Sequence, residues 1–519
     1  MNKEKYIYNL GDRFIDTVKV NHDLIAIKDD LGNEFSYLDL EETSNKIANY
    51  IKKLTIQPFD VVAIFNNKSF ISYSIMIACL KSGITYTNLD SKNPVERLKK
   101  MMDICLPKVF FYFDEKSEEL IKQTSALDLL LVNYSKNTFI SEIESNNSEF
   151  QCDSSSITGI TPAYIMFTSG STGFPKGVAI SHENLLNFIS WSKDTYNINS
   201  CDVITNLNPM HFDNSVFDFY SSIFNGATLL SIKDDIILNP RKLIEKLNVL
   251  APTIWFSVPS LLVYVLNLRA FKNNDLQSLR IFTFGGEGFP KNKLRELWGL
   301  YGQRITFINV YGPTECTCIC SSYVVNENDI LDNDLLPIGK MAPNFYPIVV
   351  DHENKVATNN EIGELYLGGP NVGIGYYNNI EKTEESFIDD PRFEKLKFKV
   401  YKTGDLVLFD SKRDVFLFKG RVDNQIKRMG YRIELEEIEN VLNSLNYINE
   451  SAVVYVNNER FNSKIIAFVN TSDTSEQRIK QDLTKYLPNY MSPDIFLFLD
   501  QMPKNQNGKI DRQNLKLSL

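Results

Sequence analysis

Short apolar runs that end near glycine or proline alternate along most of the chain with longer amphipathic stretches. Val61–Phe65 is followed by residues 72–81, and then come Val109–Tyr112 and residues 163–168. Unbroken apolar runs of this length fit buried strands, so the alternation predicts an α/β fold. No repeat of 20 to 50 residues interrupts it, and glycine and proline are spread rather than pooled into a long linker.

The pattern changes after Phe416-Leu417-Phe418, where Lys419-Gly420-Arg421-Val422-Asp423-Asn424-Gln425 is polar and contains glycine. We place a domain boundary there, with residues 1–422 forming a large N-terminal unit and 423–519 a small C-terminal one. In the small unit Ile433, Leu435, Ile438, Val441, Leu442 and Leu445 recur at helical spacing beside Glu434, Glu436, Glu437 and Glu439. That is an amphipathic helix with acids toward its N-terminus. Residues 452–456 and 464–469 read as strands and 475–487 as a second helix, a compact βαβ-like arrangement. The chain closes on a polar loop, residues 502–512, that carries Lys509.

Length and composition narrow the possibilities. At roughly 150 residues per domain, 519 residues suggest three to four structural units. Hydrophobic residues are 43% and charged residues 23% of the chain, as in soluble globular proteins. The formal charge is -10 with no block of like charges, which leaves no electrostatic footprint for nucleic acid or an anionic membrane. The longest apolar stretches, residues 70–80 and 253–268, are shorter than the roughly 20 residues a bilayer span needs. No apolar core follows the first lysines, so the expected location is cytoplasmic. Seven cysteines are thinly spread, and the alternate spacing of Cys316, Cys318 and Cys320 suits a strand better than a zinc site.

The strongest local chemistry is Thr168-Ser169-Gly170-Ser171-Thr172-Gly173-Phe174-Pro175-Lys176, a loop between two apolar strands. Glycine lets backbone N–H groups approach oligophosphate oxygens, and hydroxyls and a lysine add donors and charge. The loop lacks the GxxxxGK[ST] pattern, and a Gly/Ser-rich turn alone is equally compatible with a structural role. Further motifs follow in order: Asn309-Val310-Tyr311-Gly312-Pro313-Thr314-Glu315, Tyr401-Lys402-Thr403-Gly404-Asp405, Gly420-Arg421-Val422-Asp423 and Asn507-Gly508-Lys509.

Together these motifs resemble the adenylate-forming superfamily, in particular the amino-acid adenylation domains of nonribosomal peptide synthetases and the D-alanine-carrier protein ligases. The resemblance runs from Lys81 to Arg512. It implies a large N-terminal domain of packed α/β subdomains with a small mobile C-terminal α+β domain. It also implies an enzyme that uses ATP and Mg²⁺. Residues 168–176 would hold the β- and γ-phosphates, Thr314 would contact the α-phosphate and Glu315 would bind Mg²⁺. Gly286, Glu287, Asn309, Tyr311 and Gly312 would line the nucleotide site, with Tyr311 stacked on adenine. Asp405, assisted by Arg421, would accept from the ribose hydroxyls. Lys509 would bridge the substrate carboxylate and the α-phosphate.

Phe212-Asp213-Asn214-Ser215-Val216-Phe217-Asp218 resembles the segment in which an aspartate pairs with the substrate's α-ammonium group. Asp213 could instead cap the helix that starts at about Asn214. By the same resemblance Asn214, Phe217, Ser257, Phe282, Phe284, Val310, Cys318 and Ile319 would form the pocket wall. Three phenylalanines favour a small amino acid. A D-alanine ligase is one possibility, although Gly285 stands where that subfamily has a cysteine. The resemblance further implies that the acyl group passes to the phosphopantetheine thiol of a carrier protein. With ten residues after Lys509, that carrier would be supplied by another chain. The small domain would turn about Asp423 between the two steps, moving the Lys509 loop out and the 424–434 face in. The competing readings are an acyl-CoA ligase for a short carboxylic acid and a catalytically silent adenylate-binding protein.

Overall fold

The helix Phe70–Lys81 has no polar face, and every residue from Ser72 to Lys81 is buried. A helix apolar all round must lie between layers, and here the layers are two sheets. The computed structural model describes residues 6–124, 129–150, 152, 155–170, 173–353, 355–357, 360–393, 395–456, 463–472, 475–505 and 510–519.

One sheet has seven strands and the other nine. The first is built around Val61–Phe65, Thr85–Leu89 and Val109–Tyr112, all parallel. On one side it continues into the antiparallel pair Pro162–Thr168 and Lys176–Ser181, with the short strand Gly375–Tyr376 at that edge. The second runs through Val203–Asn206, Ile254–Ser257, Ile281–Gly285 and Thr306–Tyr311, again parallel. Phe70–Lys81 and Asn214–Ile223 share one core with residues of both sheets. The Tyr73 hydroxyl donates to Asn206 at 2.7 Å, and the hydroxyls of Tyr86 and Tyr220 lie 2.8 Å apart.

A third, five-stranded sheet includes Ile362–Gly368, Lys399–Asp410 and Val415–Arg421. Beyond Arg421 the strands pair only among themselves in the described residues. Gln425–Arg428 forms a hairpin with Tyr431–Glu434, and Ile448–Val456 pairs with Lys464–Thr471, which in turn pairs with Ile495–Phe498. Helices Leu435–Asn443 and Glu476–Leu483 pack on the latter sheet in a core of their own. The mixed α/β architecture with a smaller C-terminal unit is the expected one.

Two expectations change. Ile433 and Glu434 belong to the hairpin, and the helix starts at Leu435. The cysteines at 316, 318 and 320 are not on a strand. Thr314–Cys316 is a single 3₁₀ turn, Thr317 and Cys318 take left-handed φ values of 58° and 71°, and the strand begins at Ser321. The chain must reverse there so that the Cys320 N–H can reach the Tyr311 carbonyl at 2.8 Å, and the buried Thr317 hydroxyl holds the turn by donating to Asn371 O. The three thiols are buried and free. No described helix is long and apolar enough to cross a membrane.

Candidate active site

Asp213 stands at the N-cap of Asn214–Ile223, yet its side chain makes no capping hydrogen bond. It accepts instead from the Thr314 hydroxyl at 2.6 Å, across 101 residues of sequence. Burial raises its pKa, with the Thr314 bond and the Lys427 charge opposing that rise. A carboxylate in this position gains from a cation, and its direct hydrogen-bond partner is neutral. Thr314 is brought there by the strand Thr306–Tyr311 and the turn after it.

The same strand ends in Tyr311, whose hydroxyl donates to Asp405 at 2.5 Å. Arg421 donates to the other Asp405 oxygen, and it also grips Asp423 through Nε and Nη2 at 2.6 and 2.7 Å. Asp405 and Arg421 face each other because their strands pair in that register. Asn309 turns its amide to Pro337 O, while Glu287 accepts from the backbone N–H groups of Ser260 and Gly430. A cleft lined by Gly286, Glu287, Asn309, Tyr311, Asp405 and Arg421 joins a second that holds Asp213, Gly312 and Thr314.

The phosphate loop closes the hairpin in which Thr168 pairs with Lys176. Gly170 is required at its position, since a Cβ there would meet Phe174 O at 2.1 Å. Ser171, Thr172 and Lys509 lie outside the described residues. Lys176 is nearly buried over the Tyr376 ring, and burial together with the Arg432 charge lowers it to about 8 against the pull of Glu315 and Glu434. Glu315 is fully buried. Burial opposes its ionisation, but the charges of Arg432 and Lys176 and the Tyr376 hydroxyl prevail and hold it at about 2.

The pocket wall is where the structure departs from expectation. Side chains on a strand alternate between faces. Phe282 and Phe284 point away from Asp213 into a separate core with Trp255, Tyr301 and Phe307. Ser257 lies on that face too, accepting from the Trp255 indole at 2.8 Å. The residues on the other face are Phe256, Thr283 and Gly285. Phe256 packs edge-on against Phe217 with ring centroids 5.1 Å apart, and Phe217 packs on Tyr196 at 4.8 Å. Val310, Cys318 and Ile319 belong to that same core, and Asn214 lines the cleft. Gly285 leaves no room for a side chain, because a Cβ would meet Val310 O at 2.3 Å.

With this geometry established, comparison with known proteins is decisive. The family model for AMP-binding enzymes matches residues 14–377, and the model for the AMP-binding enzyme C-terminal domain matches 437–509. The chain belongs to the AMP-binding enzyme family. A D-alanine–D-alanyl carrier protein ligase of Lacticaseibacillus rhamnosus is 30% identical over 511 residues, covering 96% of this chain and 97% of that protein. The ligase of that name from Bacillus cytotoxicus is 29% identical over 491 residues, covering 93% and 94%. Among solved structures, a fused adenylation-PCP di-domain NRPS from Klebsiella oxytoca superposes with a TM-score of 0.81. It is 20% identical and covers 95% of this chain and 94% of that one. An NRPS protein containing adenylation and PCP domains, bound to a vinylsulfonamide inhibitor, reaches 0.83 at 22% identity over 98% and 84%.

In this AMP-binding enzyme the C-terminal hairpin faces the cleft; its residues lie within the 424–434 face that the resemblance brought toward the site, though the motifs named none of them singly. Gln425, Lys427, Gly430 and Arg432 line the cleft with Asp213, and Tyr490 joins them from farther along. Lys427 places its ammonium 5.4 Å from the Tyr311 ring centroid, and burial lowers its pKa. Arg432 donates to both oxygens of Glu315. Arg97 and Glu437, 340 residues apart, form a buried ion pair between the two units. The hairpin's alternation offered a signal for the first group, since Gln425 and Lys427 pair with Glu434 and Arg432 in register. Nothing local announces Arg97.

Proposed function

We propose that the chain activates a small amino acid with ATP, releasing pyrophosphate, and transfers the acyl group to the phosphopantetheine thiol of a carrier protein. The observation that carries this reading is Asp213. Its carboxylate is released from capping and set beside the nucleotide elements with only a hydroxyl on it. An α-ammonium group would give Asp213 a direct cationic partner beyond the more distant Lys427 charge, and an acid without an amine would leave the Thr314 hydroxyl as its direct partner. The names of the most similar ligases agree with an amino acid and a carrier protein. Phe217, Phe256 and Cys318 are buried in one core, Phe217 on the helix that Asn214 begins, and this supports a small side chain.

The charges then define the steps. The substrate carboxylate attacks the α-phosphorus, forming the acyl-phosphate bond as the bond to pyrophosphate breaks. Two anions meet, so positive charge must sit where the transition state grows negative. Lys509 and Lys176 would fill that role. No group of three His, Cys, Asp or Glu among the described residues could hold a metal alone. Glu315, a carboxylate oxygen donor, would suit a hard cation such as Mg²⁺ that also takes phosphate oxygens. When bound, Mg²⁺ neutralises phosphate charge. Tyr311 and Asp405 hold the nucleoside. In the second step the thiol gives its proton to solvent, the thiolate forms the C–S bond at the acyl carbon, and the acyl C–O bond to AMP breaks as AMP leaves. Asn88–Asp90, Arg97, Met101, Gly430 and Tyr490 also line the cleft, and that stretch is the approach proposed for the thiol.

Amino-acid-dependent exchange of pyrophosphate into ATP, run on all L- and D-amino acids and on the same acids lacking the amine, tests the reading. We expect exchange with one or a few small amino acids and none with the deaminated acids. Asp213→Asn should lose roughly 10²- to 10³-fold in kcat/KM while still binding ATP, since breaking a buried charge pair costs about 3–5 kcal/mol. Equal exchange with a short acid lacking an amine would contradict the proposal.

A further inference from the structure

Arg432 comes from the C-terminal hairpin and binds the carboxylate that the proposed reaction assigns to its metal. Its Nη1 donates to Glu315 Oε1 at 3.0 Å and to Oε2 at 2.7 Å. The Tyr376 hydroxyl donates to Oε1 at 2.7 Å. A carboxylate has about four lone-pair positions, so these contacts take up most of its capacity. The surrounding phosphate loop is held in the same way. Ser169 donates its hydroxyl to the Arg432 carbonyl at 2.7 Å, Lys176 lies 4.0 Å from Glu434, and Gly173 abuts the Asn440 side chain. A guanidinium and a divalent cation compete for one anion. Both cannot occupy Glu315 at full strength.

Resting on the proposed function, we infer that Arg432 is a positioning residue for thioester formation that takes over Glu315 from the metal once pyrophosphate has left. With a metal and triphosphate bound, Glu315 would be unavailable to Arg432 and the hairpin would be free to leave. Their departure lets Arg432 close on Glu315 and hold the C-terminal domain over the cleft. The coupling is reciprocal: by whatever factor the metal nucleotide weakens the Arg432 contact, that contact weakens the metal nucleotide. Sequence position gives Arg432 this option because it pairs with Lys427 across the hairpin and points with it into the cleft.

Binding of ATP to the full-length protein, measured with Mn²⁺ by electron paramagnetic resonance and without metal in EDTA, tests the inference without amino acid or carrier. In Arg432→Ala the ratio of Mn-ATP to metal-free ATP affinity should rise about tenfold over wild type. Arg432→Lys, which keeps the charge but not the planar fork, should fall between the two. In Glu315→Gln the ratio should drop and become insensitive to residue 432. Separately, transfer from a supplied aminoacyl-adenylate to the carrier should be slowed by magnesium pyrophosphate in wild type. In Arg432→Ala it should be about tenfold slower without metal and no longer respond. An unchanged or lowered affinity ratio in Arg432→Ala, or no measurable binding of Mn-ATP to that variant, overturns the inference. Failure of amino-acid-dependent exchange would count against the proposed function alone, because the binding titration contains no amino acid.

Discussion

Asp213, Thr314, Tyr311, Asp405 and Arg421 come from four stretches of sequence and meet around two joined clefts, Thr314 bonded to Asp213 and both Tyr311 and Arg421 bonded to Asp405. These residues were legible because each lies in a motif whose chemistry constrains its type. The pocket wall was not. A strand presents alternate residues to opposite faces, so an alignment that slips by one residue exchanges pocket for core. Phe282, Phe284 and Ser257 are one position off Thr283, Gly285 and Phe256, and apolar identity gave no warning, since both faces are buried. Phe282→Ala should accordingly destabilise the protein by about 3–5 kcal/mol and leave amino-acid preference unchanged. Thr283→Val should shift the relative kcat/KM values among small amino acids with little loss of stability. Thermal unfolding and the exchange panel on both variants check this, and a changed preference in Phe282→Ala at full stability would restore the original wall.

At the scale of elements, the amphipathic pattern of the C-terminal helix located it to within two residues. Its acids were another matter. A pattern read along the chain assigns acidic residues to solvent, yet Glu437 is 2% exposed and Glu439 7%. Glu439 pairs with Arg512 and accepts from the Val453 N–H, and Glu437 pairs with Arg97 of the large domain. Long-range partners of this kind leave no local trace. Removing one member of a buried pair strands the other charge, at about 3–5 kcal/mol. That penalty falls on the pose seen here, in which the hairpin covers the cleft. Arg97→Ala should therefore retain amino-acid-dependent exchange and lose at least tenfold in transfer to the carrier. Loss of both half-reactions in equal measure, with the fold intact, would show that Arg97 serves the cleft rather than the pose.

The whole molecule consists of one large unit with two sheets packed on a shared core and a small unit tied to it by the connector after Arg421. The pose presents Gln425 to Glu434 to the site. Lys504 pairs with Glu450 and bridges to Ile510, and neither lines the cleft that holds Asp213. Lys509 falls between them in sequence and lies outside the described residues. The Arg421 grip on Asp423 sets the connector at the edge of the nucleotide site, where a turn of the small unit would exchange one set of cations for another. If, as proposed, one site runs two reactions in two poses, the molecule is a two-state device. The measurement that tests this account most directly is single-turnover transfer to the carrier by Lys509→Ala, started from a supplied aminoacyl-adenylate and set beside the variant's exchange rate. The account predicts exchange lowered by roughly 10² or more and transfer within a few-fold of wild type. Loss of both rates by the same factor would contradict it.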